Sequence, residues 1–549
     1  MDSALRLDAS WVDYTLVALY FLFVLGIGWA AKSRVSSSID FFLSGRGLPA
    51  WVTGLAFVSA NLGAVEIIGM SANGVQYGFQ TMHYFWIGAV PAMVFLGIVM
   101  MPFYYGSKVR SVPEFMRRRF GAGAHLVNAI SFALAQLLIA GVNLLLLAKI
   151  VNALLGWPLW VTLVVAALIV LSYITLGGLS AAIYNEVLQF FVIVAALLPL
   201  TIIGMNRVGG WSGLKTAVAT EANFHTWPGQ GLSGFASPVL SVIGITFGLG
   251  FVLSFGYWTT NFVEVQRAMA SESLSAARKT PIIGAFPKMF IPFLVVLPGM
   301  VASVTVAELM GDSPTAKPND AVLLLMRDLL PNGLLGVAIT GLLASFMAGM
   351  AANISAFNTV ISYDIWQTYV VKDREDGYYL KFGRIATVVA TVIAMFTALL
   401  AQNFGNVMDY LQTLFGFFNA PLFATFILGM FWKRMTPHAG WAGLVSGTLA
   451  AVGFWSLSLG ADPLLQLPGQ GTAFLAATIA FVTDIVVSIV VSSFTTPKPD
   501  AELVGFVRSV TPKDHFEDAA EATLPWYQRT VPLGIICLIM VVALNIVFM

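Results

Sequence analysis

The stretch Val58-Ser59-Ala60-Asn61-Leu62-Gly63-Ala64-Val65-Glu66 sits in the middle of an apolar run, 51–74, long enough to cross a bilayer. Its centre is small and polar where an uninterrupted span would hold Leu, Ile and Val. Asn61 and Gly63 weaken a helix there and leave backbone carbonyls without partners. Glu66 adds a carboxylate, which costs about 2.5–3.5 kcal/mol at mid-helix on the insertion scale. Such breaks are tolerated where carbonyl oxygens face a cation or a solute. Close helix packing is the plainer reading of Asn61–Gly63. A carboxylate and an amide on one broken turn exceed what packing requires.

The whole chain is built for a membrane. Of its 549 residues 58% are hydrophobic and 10% charged, against about 25% charged in soluble domains, and mean hydropathy is +0.84. A net charge of +1 excludes a nucleic-acid binder driven by charge. One cysteine, Cys537, excludes a disulfide framework, and the five histidines never come within ligand spacing of one another. No GxxxxGK[ST], HExxH or GxSxG element occurs, so ATP-driven pumping and hydrolase chemistry lack their marks. The expected fold is all-α and polytopic.

Apolar runs predict about fourteen spans: 12–31, 51–74, 82–103, 124–154, 157–178, 184–206, 236–261, 282–306, 334–360, 381–402, 407–431, 438–459, 470–493 and 528–549. The first lacks a cleavable end and reads as a retained helix. Odd-numbered loops carry 21 Lys and Arg and even-numbered loops carry 4. Basic loops stay cytoplasmic, so both termini are expected outside. The segment 494–527 reads as a cytoplasmic linker with one short helix, and 207–235 and 307–333 as outer covers. A chain without glycosylated loops fits a bacterial inner membrane.

A second interruption, Gly248-Leu249-Gly250 and Ser254 through Asn261, falls in span 236–261. Spans two to six and seven to eleven then form two five-helix sets, each opening on a broken helix. An odd number of crossings per set forces the copies into opposite orientations. The expected divisions are a peripheral helix in 1–50, repeat one in 51–206, the outer loop 207–235, repeat two in 236–431 and peripheral helices in 432–549. Alternating access around a midplane site follows from this plan.

Other intramembrane ionisable groups are weighed one by one. Lys149, near a span end, reads as snorkelling. Asp484 is open between a packing hydrogen bond and a function, and Asp409 reads as a cap. Lys288, between Pro287 and Pro292, points to a cavity on a kinked helix.

In order along the chain, DFFLSGRGLPAW (40–51), VPEFMRRRFG (112–121), TLGGLSAAIYNEVLQ (175–189), YWTTNFVEVQR (257–267), PKMFIPFLVVLPGM (287–300), LLPNGLLG (329–336), SYDIW (362–366), DYLQ (409–412) and GMFWKR (429–434) resemble the solute:sodium symporter family, in its sodium/glucose cotransporter branch. The resemblance implies a LeuT-like core of two inverted five-helix repeats and sodium-driven uptake of a small polar solute. It implies substrate contacts at Asn61, Glu66, Phe85, Lys288 and Gln412, with Tyr257 as an inner aromatic gate. Phe85 stands where the sugar carriers place an acceptor Glu, which puts glucose or galactose recognition in doubt. The family's sodium site falls on the carbonyls at Ser59 and Leu62 and on Ser345, Ala348 and Gly349, where the last two replace an expected serine pair. Glu186 falls on the cation path.

Two coupling schemes follow. One is sodium symport through a rearranged site; the other is proton coupling or uncoupled facilitation using Glu66. A solute sensor is the remote alternative, since no signalling segment is appended. No enzyme chemistry and no cofactor beyond the coupling ion, Na+ or H+, is expected. The partners are a small solute, of sugar or polyol type, and the lipid bilayer.

Overall fold

The computed structural model describes residues 6–32, 42–218, 221–227, 231–311, 314–401, 406–459, 463–465 and 467–549. Asp40 and Phe41 of the first family-like stretch lie outside them. Hydrocarbon offers no hydrogen-bond partners, so backbone groups must pair within helices. The main helices are α1 (Trp11–Lys32), α2 (Ala50–Asn61), α3 (Ala64–Tyr77), α4 (Tyr84–Gly106), α5 (Val112–Phe120), α6 (Ala122–Leu155) and α7 (Leu159–Arg207). They continue with α8 (Pro238–Thr260), α9 (Phe262–Met269), α10 (Leu274–Lys288), α11 (Pro292–Thr305), α12 (Leu334–Val370), α13 (Asp376–Ala401), α14 (Val407–Phe431), α15 (Pro437–Ser456), α16 (Gly471–Phe494) and α17 (Thr530–Val547).

Among the described residues eleven helices are long and apolar enough to span, or twelve with the bent pair made by α2 and α3. The expected count of fourteen is not reached, for two physical reasons. Spans 157–178 and 184–206 run as one helical stretch of 49 residues in α7. At 1.5 Å per residue that is about 74 Å, more than twice a bilayer core. Within it only Leu179–Arg207 is long and apolar enough to count as a span, and Leu159–Ser172 is a shorter apolar helix. The other reason is α15, whose His438, Trp441 and glycines dilute its apolar character.

The two breaks run in opposite senses. The first follows the 12-residue α2 and precedes the 14-residue α3, with Leu62 at ψ 39° and Gly63 extended at ψ 175°. The halves meet at 54°. The second differs from expectation: Gly248–Gly250 stay inside a π-helical stretch, and only Asn261 leaves helical geometry, at ψ 115°. Its side chain accepts from the Val263 amide and restarts the chain as α9. A π-helical turn absorbs the glycines without freeing carbonyls, so the opening moves to the residue whose side chain can cap.

Small residues let α3 and α11 touch backbone to backbone. A Cβ on Gly74 would stand 2.5 Å from the Val296 carbonyl oxygen, and one on Gly299 would collide with the Ser71 carbonyl. Of the weighed groups, Asp484 accepts from Thr425 (2.7 Å) and Ser488 (3.2 Å), a packing bond between α14 and α16. Asp409 does not cap α14: Asn406 does, and Asp409 accepts from Gln470 at 3.0 Å.

The linker 494–527 carries several short turns and not one helix, at Asp500–Leu503, Lys513–Phe516, Ala519–Ala522 and Trp526–Gln528. It straps across helix ends through Arg508 N to Met430 O (2.8 Å), Ser275 N to Asp518 (3.0 Å) and Arg278 to Glu521 (3.2 Å). On the opposite face Phe548 packs among Phe79, Trp86, Trp211 and Phe293.

Candidate functional site

Where the two breaks meet, a cavity of about 100 Å³ opens. Asn61, Glu66, Phe85, Tyr257, Lys288 and Gln412 all line it. The breaks make this convergence: α2 ends on Asn61, α3 carries Glu66 in its first turn, and α8 presents Tyr257 just before Asn261. Lys288 reaches in from the last residue of α10, where Pro287 and Pro292 loosen the hydrogen-bond ladder.

Lys288 is 1% exposed. Its ammonium donates to Glu66 Oε1 and to Asn61 Oδ1. It also lies 5.1 Å from the ring centres of both Phe85 and Trp258, the geometry of a cation–π contact. Asn61 Nδ2 donates to the Tyr257 hydroxyl at 3.0 Å, and that hydroxyl donates to Glu264 Oε1 at 2.9 Å. Tyr257 also packs on Phe415 at 4.5 Å. The buried pair leaves the cavity with a balanced charge, apolar rings on one side and amide and carboxyl groups on the other.

The residues assigned to a sodium site lie behind the first break. The Ser345 hydroxyl donates to the Leu62 carbonyl at 2.5 Å, which occupies that oxygen. Ser59 Oγ and Asn143 Oδ1 are buried without a partner within the protein among the described residues. Ala348 and Gly349 supply no side-chain oxygen, and Gly349 brings α12 against the break. A Cβ there would sit 3.0 Å from Asn143 Oδ1 and 3.1 Å from Gly63 Cα. Glu186 stands apart from the cavity, bound by Arg267 at 2.5 and 3.2 Å.

Glu264 escaped the sequence reading because span 236–261 was closed at Asn261. The signal was present: a carboxylate three residues past Asn261, set between Phe262-Val263 and Val265.

The sequence profile of the sodium:solute symporter family matches residues 41–447. The chain belongs to this family. A sodium/glucose cotransporter of Vibrio parahaemolyticus is 28% identical over 463 residues, spanning 81% of this chain and 84% of that one. The rabbit (Oryctolagus cuniculus) sodium/myo-inositol cotransporter 2 is 26% identical over 91% of this chain and 79% of its own length. Among solved structures, an outward-open Na+-coupled sialic acid symporter superposes with TM-score 0.76 at 19% identity, over 89% of this chain and 98% of that one. This family member is therefore a membrane transporter and not an enzyme, with the LeuT-like core of inverted repeats.

Proposed function

We propose that the protein is a sodium-coupled symporter of a small, uncharged, hydroxyl-rich solute of sugar or polyol type, moved by alternating access with both termini outside. The observation that carries this reading is the cavity at the paired breaks, where Asn61, Glu66, Tyr257, Lys288 and Gln412 converge. Amide, carboxyl and ammonium groups supply donors and acceptors for hydroxyls, and Tyr257 with Phe415 supplies a flat wall for a ring. The self-neutralising Glu66–Lys288 pair disfavours a solute with net charge, which would leave one buried charge unmatched. Phe85 offers no acceptor, so the ligand needs fewer hydroxyl contacts on that side. Sodium would be held by oxygens around the first break, at Ser59, Leu62 and Ser345, with the unpartnered Asn143 Oδ1 as a further oxygen ligand in place of the serine pair that Ala348 and Gly349 replace. Entry of the cation would then require the Ser345 hydroxyl to release the Leu62 carbonyl.

One observation favours a second reading, proton coupling or facilitation. Ala348 and Gly349 carry no side-chain oxygen, and a hard cation needs an oxygen shell. Uptake of labelled galactose, glucose and myo-inositol into proteoliposomes separates the two. A sodium gradient alone should drive accumulation, and Lys288→Ala and Gln412→Ala should each reduce it with normal membrane insertion. Accumulation driven by a pH gradient alone and indifferent to sodium would replace the first reading by the second.

A further inference from the structure

Glu264 is fully buried, and its surroundings do not balance it. Glu66 is paired with Lys288 and Glu186 with Arg267. Glu264 is the third carboxyl in this cluster of two cations. No Lys, Arg or His nitrogen lies within 4 Å of it among the described residues. Oε1 accepts from the Tyr257 hydroxyl, and Oε2 is buried without a hydrogen-bond partner among the described residues. A buried carboxylate left half-bonded is costly unless something neutralises it.

The groups facing it from each packed element are few. Tyr257 comes from α8. From α10 come Lys288, which bonds Glu66 of α3, and, at the far cytoplasmic end, Arg278 and Lys279. From the inner end of α4 come Tyr104, which donates to Thr259 O, and Tyr105, which donates to Ser271 O. Arg267, on α9 itself, is spent on Glu186 of α7. Neither α2 nor the Leu334–Thr359 part of α12 carries a titratable side chain.

We propose that Glu264 is a proton-binding site, linked to the solute cavity through Tyr257, Asn61 and Lys288. This inference rests on the transport reading above and adds a second ionic ligand to it. A proton is favoured over sodium because a metal needs several oxygens and room. Glu264 does not line the cavity, and the oxygen bonded to it is a single hydroxyl. The hydrogen bonds all run one way, from Lys288 to Asn61, from Asn61 to Tyr257 and from Tyr257 to Glu264. Charge on Glu264 therefore strengthens this chain and competes with Glu66 for the ammonium; a proton on Glu264 releases Lys288 to Glu66 and the solute. Because Glu264 lies on α9, just past Asn261, the proton sits on the inner half of a broken helix.

Infrared difference spectroscopy of the full chain in nanodiscs, titrated with pH, tests this. A protonated-carboxyl C=O stretch should be present in the wild type and in Glu66→Gln and be lost in Glu264→Gln. Tyr257→Phe should keep the band and move it to higher frequency, because the carbonyl loses its donor; this decides the matter even if the Gln variant does not fold. Identical carboxyl bands in wild type and Glu264→Gln overturn the proposal. So does an unmoved band in Tyr257→Phe, or a Glu264 band that vanishes when sodium replaces potassium. Failure of solute uptake under every gradient would overturn the transport reading and leave this band in place.

Discussion

Lys288 and Glu66 show what a single pair of residues does here. Each alone is a buried charge in a membrane; together they neutralise one another and still face the cavity. Removing one partner of such a pair costs about 3–5 kcal/mol, whereas removing both can be nearly neutral. Lys288→Met and Glu66→Gln are each expected to lower thermal stability in detergent strongly. The double variant should lose clearly less than the sum of the two. Additive losses would mean that the two side chains do not depend on one another. Asn61 is the third member, and its amide hands the ammonium's polarity on to Tyr257.

At the scale of elements, the breaks succeed because other helices hold them tightly. The first is backed by α12 at Gly349 and by α11 along Gly74 and Gly299. Gly299→Ala places a methyl group into the Ser71 carbonyl, and backbone cannot step aside as a flexible side chain can. The expected loss is about 1–3 kcal/mol, read as a lower thermal midpoint and a smaller monodisperse peak. Unchanged stability would show that α3 and α11 are free to slide. The second break depends on a side chain instead. Asn261 caps α9 through Val263 N at 3.1 Å, and Asn261→Ala should cost ~1 kcal/mol, seen as faster hydrogen exchange within Phe262–Met269. Equal exchange would mean that packing alone holds α9.

For the whole molecule, charge asymmetry and strapping work on the same face. The loops rich in Lys and Arg end where 494–527 crosses the bundle, tying α5, α10 and α14 together. Cys537 is buried, so introduced thiols can be read against a quiet background. In intact cells a membrane-impermeant maleimide should label Leu459→Cys, after α15, and should reach Arg434→Cys, before it, only on permeabilisation. The reverse pattern would invert the orientation argued from the loop charges.

Much of this architecture was legible in residue order. Apolar runs of about 20 residues, the phase of Lys and Arg between them, and a polar patch in 51–74 require only composition and local physics. So the helices, their membrane setting and the first break are properties of the chain read along its length. Other features needed the fold. The second opening sits at Asn261 and not at Gly248–Gly250, because a π-helical stretch absorbs the glycines while the Asn side chain finds an amide to cap. Spans 157–178 and 184–206 join in the single stretch α7, whose second part packs on α1 through Gln189 and Tyr20 and on α12 at Gly341. Which carboxylate finds a cation is likewise decided by contact: Glu66 and Glu186 do, Glu264 does not. Periodicity and hydropathy are sums over neighbours in sequence, whereas the pairing of buried charges is set by distances between residues such as Glu66 and Lys288, 222 positions apart, which only packing brings together.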